Sequence, residues 1–216
     1  MNIQDLFNLD KKTAFISGGA TGIGRMAAEA MAMAGARVLI ASRKGSACAS
    51  VAEEINQKGY KGIVESFEGD LSSETGIEAL VKEIKIRTGK LNILMNNSGR
   101  SWGAPLGSFP HSAWEKVMSL NVAGLFSLTQ SLIPLLEKSA THEDPARVIN
   151  VGSVMGEIPM GDGAYSYSAS KAAVHQITKV LAKELASKKI TVNALAPGPF
   201  VSNMTAFATA DPEKRQ

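Results

Sequence analysis

Six short apolar runs alternate with longer helix-patterned segments along the whole chain, and this alternation restricts the fold more than any other feature. The runs are residues 13–17, 37–42, 63–68, 91–96, 147–151 and 191–196. Each is rich in β-branched or aliphatic residues, and most are apolar enough to be covered on both faces, as parallel strands are. The helix-patterned segments are residues 22–34, 46–57, 73–88, 113–138 and 166–187. Gly35 and Gly59 stop the first two, as glycine commonly does. The third has a serine cap after Asp70-Leu71-Ser72, carries Glu74 in its first turn, and ends before Gly89. Strand–helix alternation of this kind implies right-handed βαβ units and an α/β, doubly wound parallel sheet. Ligands on such sheets bind at the carboxyl ends of the strands.

No repeat, low-complexity tract or Pro/Gly linker divides the 216 residues, so residues 1–216 are expected to form a single domain. Hydrophobic residues make up 44% and charged residues 20%. Those proportions exclude disorder. The net charge is +3. Lys82, Lys85, Arg87 and Lys90 alternate with Glu78 and Glu83, which makes a solvated helix face and no nucleic-acid patch. The one cysteine, Cys48, rules out an internal disulfide and is expected to pack as a small apolar residue. His111, His142 and His175 are far apart in sequence, so no metal site is expected. No run approaching ~18 apolar residues suggests a membrane span. The N-terminus has no secretory pattern, and the expected setting is the reducing cytoplasm.

Strand 1 leads into Ser17-Gly18-Gly19-Ala20-Thr21-Gly22-Ile23-Gly24 and then a helix. Glycines permit a tight turn and let a pyrophosphate approach the backbone, while the helix start offers free N–H groups and a positive dipole end. The competing account is an ordinary turn. The position between first strand and first helix favours phosphate. An NAD site usually needs an acidic residue at the end of strand 2 for the ribose 2′-hydroxyl. No acidic residue occurs between Glu29 and Glu53, and strand 2 ends in Ser42-Arg43-Lys44. A guanidinium there suits a 2′-phosphate, so NADP(H) is favoured over NAD(H). The alternative is a solvated Arg-Lys loop.

In Tyr165-Ser166-Tyr167-Ser168-Ala169-Ser170-Lys171, helical geometry puts Tyr167 and Lys171 on one face at i and i+4. An ammonium beside a phenol favours the phenolate and fits the tyrosine for proton transfer near neutral pH. Tyr165 lacks such a partner, since residue 169 is Ala. His175, four residues past Lys171, is expected on a helix or subunit face. Trp102 and Trp114 either line a substrate mouth or pack.

Taken in order, Gly18…Gly22-x-Gly24, Asp70-Leu71, Asn96-Asn97-Ser98-Gly99, Asn121, Ser153, Tyr167-x-x-x-Lys171 and Pro197-Gly198 resemble the short-chain dehydrogenase/reductase family over essentially the whole chain. Within it the chain is similar to bacterial NADPH-dependent 3-oxoacyl-(acyl-carrier-protein) reductases of the rhamnolipid-biosynthesis type. Residues 101–104, 113–118 and 145–150 carry that finer likeness. The resemblance implies a Rossmann-type, three-layer αβα fold and assigns roles. Tyr167 gives its proton to a carbonyl oxygen that Ser153 hydrogen-bonds. Lys171 binds the nicotinamide ribose and biases Tyr167. Asn121 holds a water linking Lys171 to solvent. The cofactor lies against Gly18, Thr21, Gly22, Ile23, Gly24 and Arg43, with its adenine on Asp70 and Leu71. Asn97 and Gly99 line its ribose side, and Pro197, Gly198 and Phe200 border the nicotinamide. The implied reaction reduces a 3-oxoacyl thioester to the 3-hydroxyacyl form. Other outcomes are a reductase of another secondary alcohol or ketone (sugar acid, steroid), or a truncated, non-catalytic nucleotide-binding protein.

Four departures modify these expectations. Ser98 replaces the usual Ala, and Thr21 stands where many NADP-preferring relatives have a basic residue. Ser153 and Tyr167 are one residue further apart than usual. The chain ends at Gln216, short of the last helices and strand of the family, which predicts one bare sheet edge. A homodimer or homotetramer is expected through residues 113–138 and 166–187, whose apolar stripes include Val174, Ile177 and Leu181.

Overall fold

The computed structural model describes residues 6–160 and 163–199. Among these, six parallel strands form one sheet: β1 (Thr13–Ser17), β2 (Arg37–Ser42), β3 (Ile63–Glu68), β4 (Ile93–Asn96), β5 (Ala146–Val151) and β6 (Ile190–Leu195). Their order is β3-β2-β1-β4-β5-β6. The order reverses between β1 and β4, where Ser17 pairs with Asn96 at the carboxyl ends. A crevice opens at such a switch point.

The helices are α1 (Gly22–Met33), α2 (Gly45–Asn56), α3 (Glu74–Arg87), α4 (His111–Met118), α5 (Leu125–Glu137) and α6 (Tyr165–Leu185). Successive side chains of a strand point to opposite faces. Ala14 and Ile16 of β1 therefore join one core with Ala28, Ala32, Val38 and Ile40, while Phe15 joins the other with Leu94, Leu128, Leu132 and Leu181. Both faces of the central strands β1, β2 and β4 are covered, which explains why these strands are continuous apolar runs. The buried face of α1 is Gly24, Ala28 and Ala32, spaced by four, so this helix lies close to the sheet. Ser73 caps α3 by accepting from the Gly76 amide at 3.2 Å. Glu74 in its first turn and Lys85 and Arg87 in its last complement the helix dipole.

Three expectations are corrected. The run 91–96 shortens to Ile93–Asn96, because the Leu91 amide bonds to Leu135 O in α5 at 2.9 Å and leaves the ladder. The helix expected over 113–138 begins at His111 and is interrupted by a π-helical turn, Ser119–Gly124. There Gly124 passes Leu71 so closely that a Cβ would stand 2.5 Å from the Leu71 carbonyl oxygen. The whole run His111–Glu137 is long and apolar enough to cross a membrane. Its apolar side instead faces the sheet, burying Leu125, Leu128, Leu132, Leu135 and Leu136. Finally, the α6 stripe is core: Val174 and Leu181 are buried and Ile177 packs against the same cluster. The large apolar side chains that α5 and α6 leave exposed are Phe126, Tyr165 and Val180. At one sheet edge, β6 leaves Thr191, Asn193, Ala194 and Leu195 exposed among the described residues.

Candidate active site

The glycine turn sits at the mouth of the β1/β4 crevice. Gly18 and Gly22 have φ of 69° and 52°, which only glycine adopts without strain. The turn is braced from β4. Asn97 Nδ2 donates to Ser17 O at 3.1 Å and Gly18 O at 3.0 Å, and Ser17 Oγ accepts the Asn97 and Ser98 amides at 3.1 Å each. Asn97 thus shapes the cradle through its side chain. Thr21 precedes α1 with extended φ and no side-chain cap, and the first turn of α1 holds no acidic residue. The amides at Gly22, Ile23 and Gly24 therefore face neither a side-chain cap nor an opposing charge from their own turn. Such a cradle fits a pyrophosphate.

Arg43 is exposed just past β2. Across from it, Asp70 feels opposing influences. Burial raises its pKa, but the Ser72 amide (2.9 Å) and hydroxyl (2.8 Å), with the charges of Arg43 and Arg100, hold the carboxyl below its usual value. The cluster is polar, and the exposed guanidinium of Arg43 could hold a phosphate there. Leu71 is buried in the core. Cys48 is buried behind this corner, donating to Ser42 Oγ at 3.2 Å, and burial pushes its thiol pKa up.

α6 carries Tyr167 and Lys171 one turn apart, with Lys171 Nζ 5.5 Å from the Tyr167 ring centre. Lys171 is buried and donates to Val151 O at 2.7 Å. Burial lowers its pKa from 10.5 to about 8. Asn121 lies in the π turn. Its Nδ2 donates to Arg100 O and to Ser170 Oγ, and its Oδ1 accepts the Arg100 amide, all at 2.9 Å. Ser170 Oγ in turn donates to Tyr167 O at 2.7 Å. Both amide hydrogens of Asn121 are therefore engaged in joining the Gly99-Arg100 loop to α6. A water at this residue would have to use Oδ1 or the main-chain carbonyl. Gly99 is beside the pair: a Cβ there would be 3.4 Å from Asn121 Oδ1 and 3.7 Å from Lys171 Nζ.

Ser153 is buried at the end of β5, and its Oγ accepts the Met155 amide at 3.2 Å. A hydroxyl so engaged keeps its own proton for a carbonyl oxygen. Val154 N–H bonds to Pro197 O at 3.1 Å, which joins this turn to the loop after β6. Gly198 follows, with no described residue within 4 Å of an added Cβ. Phe200 lies outside the described residues.

Aromatic groups collect nearby. Phe109 stacks edge-on against Trp114 at 6.0 Å and Tyr165 at 5.3 Å, and Lys116 lies over the Trp102 ring at 6.0 Å. Trp102, Leu106, Ile158 and Met160 are exposed. Sequence reasoning missed Ser17, Ser170, the Val151 carbonyl and His175. Ser170 had a signal, being three residues from Tyr167 on the same helix. His175 is buried, contrary to the surface position expected.

The strand order, the glycine cradle and the Tyr-Lys helix define a dinucleotide-dependent oxidoreductase site. A family model for short chain dehydrogenases matches residues 12–213, and the chain belongs to the short-chain dehydrogenase/reductase family. It is 48% identical over 207 residues to the rhamnolipids biosynthesis 3-oxoacyl-(acyl-carrier-protein) reductase of Pseudomonas aeruginosa, covering 96% of this chain and 80% of that one. It is 34% identical to the 3-oxoacyl-(acyl-carrier-protein) reductase FabG of Aquifex aeolicus, covering 94% and 79%. The solved Pseudomonas aeruginosa RhlG/NADP active-site complex matches with a TM-score of 0.92 and 48% identity, over 96% of this chain and 80% of that one.

Proposed function

We propose that the protein reduces 3-oxoacyl thioesters to 3-hydroxyacyl thioesters with NADPH, as one NAD(P)-binding domain over residues 1–216. The pairing of Tyr167 with Lys171 on α6, with Asn121 bonded to Ser170 of that helix and Ser153 at the end of β5, supports this, together with 48% identity to a 3-oxoacyl reductase. Gly18, Thr21, Gly22, Ile23 and Gly24 would hold the pyrophosphate. Arg43 would hold the 2′-phosphate, and Asp70 and Leu71 would flank the adenine. Asn97 would act by fixing the turn, Gly99 by leaving room beside Lys171, and Pro197, Gly198 and Phe200 by bordering the nicotinamide. When bound, NADPH supplies the hydride. Tyr167 gives its phenolic proton to the carbonyl oxygen, and Ser153 donates a hydrogen bond that holds this oxygen as charge develops. Lys171, buried and facing the Tyr167 ring, favours the phenolate that remains. Asn121 fixes the Gly99-Arg100 loop and α6 relative to each other, so the groups keep their spacing.

The exposed apolar side chains of Trp102, Leu106, Ile158 and Met160 suit an acyl chain better than a sugar. A cytoplasmic homodimer or homotetramer acting on a carrier-bound or small-molecule carbonyl is the state in which we expect it to work. NADPH oxidation followed by absorbance, with a 3-oxoacyl thioester and with a keto sugar acid, tests the assignment. Turnover at least about tenfold faster with the thioester supports it. Preference for the sugar acid, or no turnover despite NADPH binding, overturns it.

A further inference from the structure

His175 stands one turn beyond Lys171 on α6 and takes no part in the chemistry above. It is nonetheless buried, and the 152–156 turn closes around its ring. A Cβ on Gly152 would overlap the imidazole at Nε2 and Cδ2, and one on Gly156 would stand 2.9 Å from Cε1. Two glycines thus admit the ring between them. Nε2 faces the Ser153 amide at 3.4 Å. Nδ1 is buried without a hydrogen-bond partner among the described residues, 3.4 Å from Oε1 of the largely exposed Glu157, which follows the turn directly. An amide N–H can be accepted only by an unprotonated ring nitrogen. The proton then belongs on Nδ1, the side of the carboxylate.

We propose that His175 is the positioning residue for Ser153, holding the turn that presents the Ser153 hydroxyl through a neutral, Nδ1-protonated imidazole. Ser153 Oγ is fixed within the same turn by the Met155 amide, so the direction of the hydroxyl follows the turn. Removing the acceptor at Nε2 leaves a buried amide unsatisfied and frees the turn to shift. The proposal rests on the assignment of Ser153 to the carbonyl oxygen.

Two measurements test it. Long-range proton–nitrogen correlation spectra of the labelled intact protein at neutral pH should show His175 protonated at Nδ1 and bare at Nε2, with a Ser153 amide at least about tenfold better protected from exchange than in His175→Leu. A proton on Nε2, or equal exchange, overturns the proposal. In turnover, His175→Leu should lose about ten- to a hundredfold in kcat, with NADPH affinity within about twofold of wild type. His175→Gln, whose Oε1 can accept the amide, should recover most of it. Equal losses in both variants, or a loss confined to KM, contradicts a positioning role. If His175→Leu does not fold, the tautomer of the wild type and the activity of His175→Gln decide. If the wild type reduces no 3-oxoacyl thioester, the reaction assignment fails, and the tautomer and exchange results alone decide the place of His175.

Discussion

Lys171 is the residue where chemistry and stability meet. Its burial lowers the pKa from 10.5 to about 8, so the folded chain releases this proton before the unfolded chain does. Below pH 8 both states hold the proton, and the cost of burying an ammonium is fully present. Between pH 8 and 10.5 the unfolded state binds more protons, so this group makes stability rise with pH. The shift corresponds to about 3 kcal/mol. In cofactor-free protein, the stability advantage of Lys171→Met over wild type should shrink by about that amount from pH 7.5 to 10.5, measured by urea unfolding. A constant difference would mean that Lys171 is solvated. Arg43 gives a second prediction. Arg43→Ala should raise the KM for NADPH about tenfold or more while leaving that for NADH nearly unchanged. Equal effects on both cofactors would place the 2′-phosphate elsewhere. The type of these residues was legible in the sequence because each stands at the end of a strand or on a helix of definite period. Their partners were not. Nothing in Asn97 announces that its amide would brace Ser17 O and Gly18 O, and nothing near His175 in sequence announces Ser153.

Elements were legible where one period dominates. β1 and β2 fall on the expected residues, because strands covered on both faces are short apolar runs between glycine-rich or polar turns, and the edge strand β3 does so although Ile63 and Glu68 at its ends are exposed. The ends of α3 were legible through Ser73 and Glu74. Ser73→Ala should cost about 1 kcal/mol, a fall in Tm of about 2–4 °C for a chain of this size. No change in Tm would show that the 3.2 Å contact with Gly76 contributes nothing. The break between α4 and α5 was not legible. A π turn changes the hydrogen-bond ladder without changing the apolar pattern, and the close approach of Gly124 to Leu71 exists only in three dimensions. Gly24 shows the same limit more sharply. A Cβ there would strike Gly18 O and Asn97 Nδ2 together, so Gly24→Ala should disturb the cradle and weaken NADPH binding about tenfold or more. Binding by titration at wild-type strength would contradict this.

For the whole molecule, the parallel sheet places every strand's carboxyl end on one rim. The glycine turn, Asp70, Asn97, Ser153 and Pro197 therefore share that rim despite their distance in sequence. The sequence could predict this gathering because the topology requires it. Which apolar face would meet another copy of the chain was less legible. The apolar positions of α6 named from periodicity serve the core, and periodicity cannot say which of two apolar faces looks outward. Phe126, Tyr165 and Val180 are the exposed large apolar side chains on α5 and α6, and we propose Phe126 and Val180 as the contact with a second copy of the chain. Light scattering should give at least twice the mass of 22.8 kDa, and Val180→Glu should lower it. A monomer at high concentration would contradict this.

In the proposed reaction Tyr167 delivers the proton as the carbonyl carbon is reduced. Tyr167→Phe removes only that hydroxyl. Rapid mixing of the variant with NADPH and a 3-oxoacyl thioester, beside a fluorescence titration of NADPH binding, measures both reduction and binding. NADPH affinity should stay within about twofold of wild type and reduction should slow at least about a thousandfold. Reduction at the wild-type rate by Tyr167→Phe would contradict this role.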